Sequence, residues 1–226
     1  FRVIAYERRG FARSPLDGEP AADRLATDVD DLRLLLDRLS AAPAHILGSS
    51  SGAIVALSFL AEHPGHVATL LAHEPPYVSA LPDARQRLTD LDQAYAVYRS
   101  DGLEAGMRSF AEHAGLGRLG GPAETGELPE HMREMFGRIR SNMEFWFEHE
   151  LRQYVRAVPD LETLAGYRGR ITLGCGTDST GTLAHRPNLL LAERLGLTPV
   201  LFPGGHAGFA EHPKEFAETL TPLLGG

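Results

Sequence analysis

This chain has little cysteine and no long apolar runs, and its basic residues are fewer than its acidic ones. The single cysteine among 226 residues excludes an intrachain disulfide framework, and no apolar run approaches the roughly 18 residues that span a bilayer. The 22 Lys and Arg residues face 30 Asp and Glu residues, which gives a net charge of −8. Because an acidic chain has no general attraction to phosphate backbones or anionic lipid, neither nucleic acid nor a membrane surface is expected as a partner. The N-terminal sequence also lacks the charged-then-apolar plan of a signal peptide, so we expect a soluble, cytoplasmic protein.

The sequence does contain an alternation of strand-like and helix-like segments. Apolar stretches typical of buried strands occur at 1–6, 44–47, 67–72, 171–176 and 199–202. Helical patterns follow them at about 29–39, 53–63, 189–195 and 213–224. This alternation predicts an α/β fold with a mostly parallel sheet and helices on both faces. We expect Thr27 or Asp28 to cap the first helix.

The stretch 75–158 interrupts this alternation, because it holds no convincing strand pattern. Helical patterns cover 84–100, 103–113 and 130–156, and a Gly- and Pro-rich break at 115–129, expected to be mobile, divides them. We therefore divide the chain into a first part of an α/β core at 1–74, a helical insertion at 75–158 and a second part of the core at 159–226.

The sequence Gly48-Ser49-Ser50-Ser51-Gly52 matches G-x-S-x-G with Ser50 at its centre. It directly follows a predicted strand and precedes a predicted buried helix, which is the setting of a nucleophile elbow. In such a turn Ser50 is the nucleophile, the two glycines leave room around it, and the N–H of Ser51 stabilises an oxyanion at the helix N-terminus. Neither Ser49 nor Ser51 has glycines two residues before and two residues after it, so neither fits the motif as the nucleophile. The alternative is a Gly/Ser helix-entry turn without chemistry.

His206 is the candidate general base. It lies in a glycine-bounded loop after a predicted strand, from which its ring can reach Ser50, and a serine hydroxyl needs such a base at neutral pH. His212 precedes Pro213 at a helix start and is interpreted as structural or exposed. The other histidines are scattered without metal-ligand spacing, so neither a metal nor any other cofactor is expected.

Taken together, these motifs resemble the α/β-hydrolase family over nearly the whole chain. Glu7-Arg8-Arg9-Gly10 resembles the family's turn after an early strand, 46–52 resembles its nucleophile elbow, and 202–213 resembles the loop that carries its histidine. The order nucleophile, acid, histidine is the order of this fold. The resemblance implies that the insertion 75–158 is the family's helical cap.

The resemblance leaves two candidates for the acid that orients His206. Asp178 follows the strand 171–176, at the usual family position, and is our favoured candidate. Family members often have Gly-x-x-Asp there, however, and counting from Gly176 puts Ser179 where that acid would stand. Glu74 follows the strand 67–72, from which some members take their acid, and it stays open as the alternative.

The resemblance also implies sequence upstream of Phe1. In the family's sheet another strand lies between those matching 1–6 and 44–47, and a loop after an earlier strand supplies the second oxyanion donor. We therefore expect that the family's N-terminal strands are absent from the given chain and that roughly 40 or more residues precede Phe1 in the natural protein.

The resulting hypothesis is a serine hydrolase that cleaves a small, largely apolar ester, thioester or lactone through an acyl-enzyme. Two alternatives stay open: C–C bond hydrolysis or cofactor-free perhydrolysis on the same triad, and a non-catalytic homologue that binds a small ligand. The expected partner is a small-molecule substrate, and a homodimer is left open. Trp146 either faces the pocket or packs the cap on the core.

Overall fold

A computed structural model describes residues 2–39, 43–116 and 130–224. Its sheet has four parallel strands in the order β1-β2-β3-β4. The strands are β1 (Ala44–Ser49), β2 (Val67–His73), β3 (Ile171–Gly176) and β4 (Val200–Phe202). Since all four run the same way, their carboxyl ends lie at one end of the sheet, with Ser49 beside His73 and Gly176 beside Phe202.

Helices connect and cover these strands. In chain order they are α1 (Arg24–Leu39), α2 (Ser51–Glu62), α3 (Ala84–Asp101), α4 (Leu103–Ala114), α5 (Glu130–His149), α6 (Leu151–Tyr154), α7 (Leu161–Gly166), α8 (His185–Leu195), α9 (Gly208–Glu211) and α10 (Pro213–Leu220). No helix in the described part of the chain is long and apolar enough to cross a membrane.

The two faces of the sheet bury different helices because side chains alternate along a strand. Leu70 and Ala72 of β2 pack into the main core with helices α1, α2, α7 and α8. Leu71 points to the opposite face and packs with Phe202 and with Phe216 of α10. The α/β fold with helices on both faces, predicted from the sequence, is thereby confirmed.

Within 75–158, the described residues form helices and no strand, as predicted. Their apolar side chains build a core of their own that includes Val78, Leu91 and Phe147, and Leu183 from the second part of the chain joins it. The division of the chain at 74/75 and 158/159 stays a prediction. Of the Gly- and Pro-rich break, 117–129 lies outside the described residues.

Two local expectations were wrong. Residues 2–6 form no strand, and Val3 is 86% exposed. A strand exists only where its N–H and C=O groups pair with a neighbour, and no described strand lies beside this segment. Helix α1 begins before Thr27, because Asp23 accepts a hydrogen bond from the Ala26 N–H (2.9 Å) and so acts as the cap.

A buried group of charged side chains ties the N-terminal loop to α1 and α6. Arg8 binds both carboxylate oxygens of Glu150 (2.7 and 2.8 Å) and one of Asp28 (2.5 Å). Asp28 also pairs with the fully buried Arg24 (3.1 Å) and accepts a hydrogen bond from the Tyr154 hydroxyl. We call these five residues the ion cluster. Its two positive and two negative charges balance, which is the condition under which charges are tolerated in a protein interior.

Candidate active site

Ser50 stands between the end of β1 and the start of α2, in a strained backbone conformation. Its φ of 55° and ψ of −125° lie in a region that L-residues avoid. The Ser50 N–H still donates to the His73 carbonyl (2.9 Å), and the Ser50 carbonyl accepts from the Ala53 N–H (2.9 Å). The sheet on one side and the helix on the other thus hold the sharp turn of a nucleophile elbow.

Of the two glycines that flank Ser50, only one lies where a side chain would clash with neighbouring atoms. A Cβ on Gly48 would lie 2.4 Å from the Gly52 carbonyl oxygen and 2.8 Å from the Ala53 Cα, so α2 passes directly over Gly48. A Cβ on Gly52 would meet nothing within 4 Å. The expectation that both glycines make room for the turn is therefore right for Gly48 and wrong for Gly52.

This asymmetry predicts different outcomes for two matched substitutions. Gly48→Ala should lower the free energy of unfolding by about 1–3 kcal/mol, because backbone atoms must move to admit the methyl group. Gly52→Ala should leave it unchanged or raise it by up to about 1 kcal/mol, since alanine favours the first turn of α2 over glycine. Urea unfolding of both variants checks this, and equal losses would contradict the packing seen at Gly48.

The backbone at the start of α2 has donors available for an anion. Ser51 is the first residue of this 12-residue helix, and N–H groups in the first turn have no partner within the helix. Ser51 also lines the same cavity as Ser50. A negative oxygen bound there would meet the positive end of the helix dipole.

His206 lies between β4 and α9 and pairs with a buried carboxylate. Its Nδ1 is 2.7 Å from Oε2 of Glu74, whose side chain is fully buried. The other oxygen of Glu74 accepts the Gly176 N–H (2.9 Å), which anchors the carboxylate to the end of β3. Glu74 itself has a φ of 51°, a strained conformation in the residue directly after β2. Two strand ends and the His206 loop therefore meet at this carboxylate.

Asp178, the favoured acid, is not the partner of His206 in the structure. Its side chain is exposed, and its N–H donates to the Gly204 carbonyl (3.0 Å). No described contact joins its carboxylate to the His206 ring. The geometry brings the alternative, Glu74, to the ring instead.

Glu74 is held in its charged form. Burial raises the pKa of this carboxyl, but hydrogen bonds from His206 and from the Gly176 N–H outweigh burial and leave the pKa below its usual value. At neutral pH Glu74 is therefore an anion that can fix the ring with a proton on Nδ1, leaving Nε2 free to accept one.

Ser50 and His206 line one cavity of about 40 Å³. Besides Ser51, the rest of its wall is largely apolar and comes mostly from the helical insertion. These largely apolar residues are Pro76, Phe110, Ala114, Leu116, Trp146, Leu151, Tyr154, Val155, Leu183 and Ala184. Trp146 meets Phe110 edge to face at 4.9 Å, so it both lines the cavity and packs within the insertion. In the described chain no hydrogen bond joins the Ser50 hydroxyl to His206, a contact that often tightens only with substrate.

Sequence reasoning missed His73, the last residue of β2. Its ring is fully buried against Phe202 and Phe216, and its centroid is 6.4 Å from that of His206. Burial lowers the pKa of His73 to about 4, so the ring is neutral at neutral pH. An apolar strand pattern carries no sign that a histidine inside it will end beside the site.

The other residues considered from the sequence are not part of the His206–Glu74 pair. His212 is exposed, as expected. Cys175 is buried in β3 beside the Asn188 amide (2.9 Å), and burial raises the pKa of its thiol, which fits an unreactive core residue. The Ser49 hydroxyl is 3.5 Å from the His73 ring and does not line the cavity.

The parallel sheet, the strained serine elbow and a histidine–carboxylate pair at the same strand ends define the class of α/β hydrolases. The sequence profile of the Alpha/beta hydrolase family matches residues 1–219. The chain therefore belongs to this family, and it is an enzyme of the hydrolase type.

Individual relatives agree with that assignment. The chain is 29% identical to the uncharacterized hydrolase YraK of Bacillus subtilis, over 99% of this chain and 79% of that protein. It is 27% identical to the zearalenone hydrolase of Bionectria ochroleuca, over 96% of this chain and 77% of that protein. Among solved structures, a carboxylesterase of Nitrososphaera gargenis superposes with a TM-score of 0.68 at 22% identity, covering 97% of this chain and 78% of the other. At that identity the last match supports the fold alone.

Proposed function

We propose that this protein is a serine hydrolase that cleaves a small, neutral, largely apolar ester, thioester or lactone through an acyl-enzyme. The observation that carries the proposal is the 2.7 Å contact between His206 Nδ1 and Glu74 Oε2, with His206 and Ser50 lining one cavity. In this proposal Ser50 is the nucleophile, His206 the general base and Glu74 the orienting acid.

The first half of the proposed reaction forms the acyl-enzyme. Ser50 Oγ attacks the substrate carbonyl carbon while His206 Nε2 takes the hydroxyl proton. Glu74 keeps the other proton on Nδ1 and offsets the charge of the imidazolium. The carbonyl oxygen becomes an oxyanion, and the Ser51 N–H at the start of α2 donates to it. The C–O or C–S bond then breaks, and His206 returns the proton to the leaving group.

The second half releases the acid. With the leaving group gone, His206 takes a proton from water, and the hydroxide attacks the acyl carbon. The second tetrahedral intermediate collapses, its bond to Ser50 Oγ breaks, and His206 returns the proton to Ser50. An ester yields a carboxylic acid and an alcohol, a thioester yields a carboxylic acid and a thiol, and a lactone yields a single hydroxy acid.

The character of the cavity supports the substrate class. Within the described chain, no Asp, Glu, Lys or Arg lines it. A charged acyl group would lose its hydration there without gaining a partner, at a cost of several kcal/mol, so neutral groups are favoured. The relative named zearalenone hydrolase makes zearalenone a reasonable compound to test alongside neutral aryl esters of short acids.

Labelling with a fluorophosphonate probe tests the proposal. The intact chain should react covalently and lose hydrolase activity, and Ser50→Ala should remove both labelling and activity. Ser49→Ala is the matched control, since it deletes the neighbouring hydroxyl outside the cavity and should keep the label. Labelling that persists in Ser50→Ala would reject the nucleophile, and an intact chain that never labels would favour a non-catalytic binding protein.

A further inference from the structure

Ser179 carries a buried hydroxyl that the proposed mechanism does not use. The residue is 1% exposed, and its Oγ makes no hydrogen bond of good distance and angle with the described residues. A buried hydroxyl without a partner costs about 1–3 kcal/mol, so native proteins rarely leave one without a reason.

The hydroxyl lies where the acid is anchored. Ser179 follows β3, and its N–H donates to the Gly176 carbonyl (3.2 Å). The N–H of Gly176 is in turn the donor that holds Glu74 Oε1. A Cβ on Gly176 would lie 2.7 Å from Ser179 Oγ and 2.7 and 2.6 Å from the carbonyl oxygens of Gly204 and Gly205. The missing side chain at Gly176 therefore opens a small space shared by Ser179, the Glu74 anchor and the backbone before His206.

We propose that Ser179 is a positioning residue, whose hydroxyl donates to the Glu74 carboxylate and fixes its orientation toward His206. The inference rests on the proposed function, because it needs Glu74 as the acid. The hydroxyl adds a third donor to a carboxylate that already accepts from the Gly176 N–H and the His206 ring. The hydrogen of the Ser179 hydroxyl rotates about the C–O bond, so it can be directed at the carboxylate.

Electrostatics support this assignment. The Ser179 hydroxyl is among the groups that keep the pKa of Glu74 below its usual value against the opposing effect of burial. A donor to the carboxylate withdraws negative charge from it, so removing the donor leaves a carboxylate that attracts the imidazolium more strongly. Ser179→Ala should therefore make His206 harder to deprotonate.

Other ionisable groups near the pair must stay constant for this comparison. His73 faces the pair from β2 and Cys175 from β3, while Glu211 of α9 accepts the Gly205 N–H (3.3 Å) behind the His206 loop. Asp178 is exposed in the loop that also holds Ser179. None of these side chains changes in the variants below, so a shifted pH profile reports on Ser179.

The experiment measures kcat/KM from pH 4 to 9 for wild type, Ser179→Ala and Thr182→Val. Thr182 is the matched control, because its buried hydroxyl lies on the same loop but accepts from the His185 N–H (3.4 Å). Ser179→Ala should lower kcat/KM roughly tenfold and move the acidic limb of the pH profile to higher pH by about half a unit or more. Thr182→Val should leave the acidic limb where it is, and Ser179→Cys, a weaker donor, should fall between alanine and wild type.

A double-mutant cycle completes the test. If Ser179 acts through Glu74, then Ser179→Ala should change activity less than about twofold in a Glu74→Gln background. A hydroxyl that instead binds the Gly204 or Gly205 carbonyl would give the same loss in both backgrounds and an unshifted limb, which would overturn the inference. If Glu74→Gln alone had no effect, the proposed acid itself would fail, so the two failures are distinguishable.

Discussion

Glu74→Gln is expected to lower kcat by about 10³–10⁴-fold while leaving the fold intact. Glutamine keeps the size of the side chain, but its amide cannot hold the His206 tautomer with a proton on Nδ1 or offset the imidazolium charge. The contact that it replaces is the 2.7 Å pair between Oε2 and Nδ1. Steady-state kinetics on a neutral aryl ester, with circular dichroism as a folding check, measure the effect.

Asp178→Asn is the matched control for that substitution. Its carboxylate is exposed and has no described contact with His206, so its activity should stay within about threefold of wild type. The reverse ranking, with Asp178→Asn costing more than Glu74→Gln, would show that the acid switches in the working enzyme. If both Glu74→Gln and Asp178→Asn keep near-wild-type activity, neither carboxylate orients His206.

The proposed nucleophile and the proposed base were predictable because each is marked by its own local sequence. Gly48 and Gly52 bracket Ser50 between a strand and a helix, and glycines flank His206 after β4. The proposed acid, Glu74, has no such local mark. Its identity depends on which strand end meets the His206 loop, and that follows from the pairing of β2 with β3, where His73 lies opposite Gly174. A contact between residues 132 positions apart is set by this sheet register, which the sequence does not display.

The two wrong predictions of local structure, the strand near the N-terminus and the cap of α1, have related causes. The segment 2–6 has an apolar pattern, but a strand needs a neighbour to pair with, and propensity alone does not supply one. Asp28 was a reasonable cap by residue type, yet the structure buries it beside Arg8 and Arg24, while Asp23 caps α1. A carboxylate near a helix start can serve either purpose, and only the tertiary contacts decide which.

The ion cluster carries the second large expectation, which concerns stability. Glu150→Gln should lower the free energy of unfolding by about 3–5 kcal/mol, because it leaves the buried guanidinium of Arg24 and the mostly buried one of Arg8 with one carboxylate between them. Glu150 is fully buried and bound by both terminal nitrogens of Arg8. The midpoint and slope of urea unfolding measure the loss, and an unchanged slope would assign it to the folded state.

Glu148→Gln, two residues earlier and on α5, is the matched control. It removes the same charge at a less buried position, so comparing the two variants shows how much of the stability loss is due to burial. Glu148 is partly exposed and pairs with Arg99 (2.7 Å), an exposed partner, so its loss should cost no more than about 1 kcal/mol. Raising the salt concentration from about 0.1 to 1 M should shrink that small difference further, because solvent screens exposed pairs, and should leave the Glu150 effect nearly intact. Equal costs for the two variants would mean that the contacts among Arg8, Asp28 and Glu150 hold the insertion to the core no more strongly than a surface ion pair does.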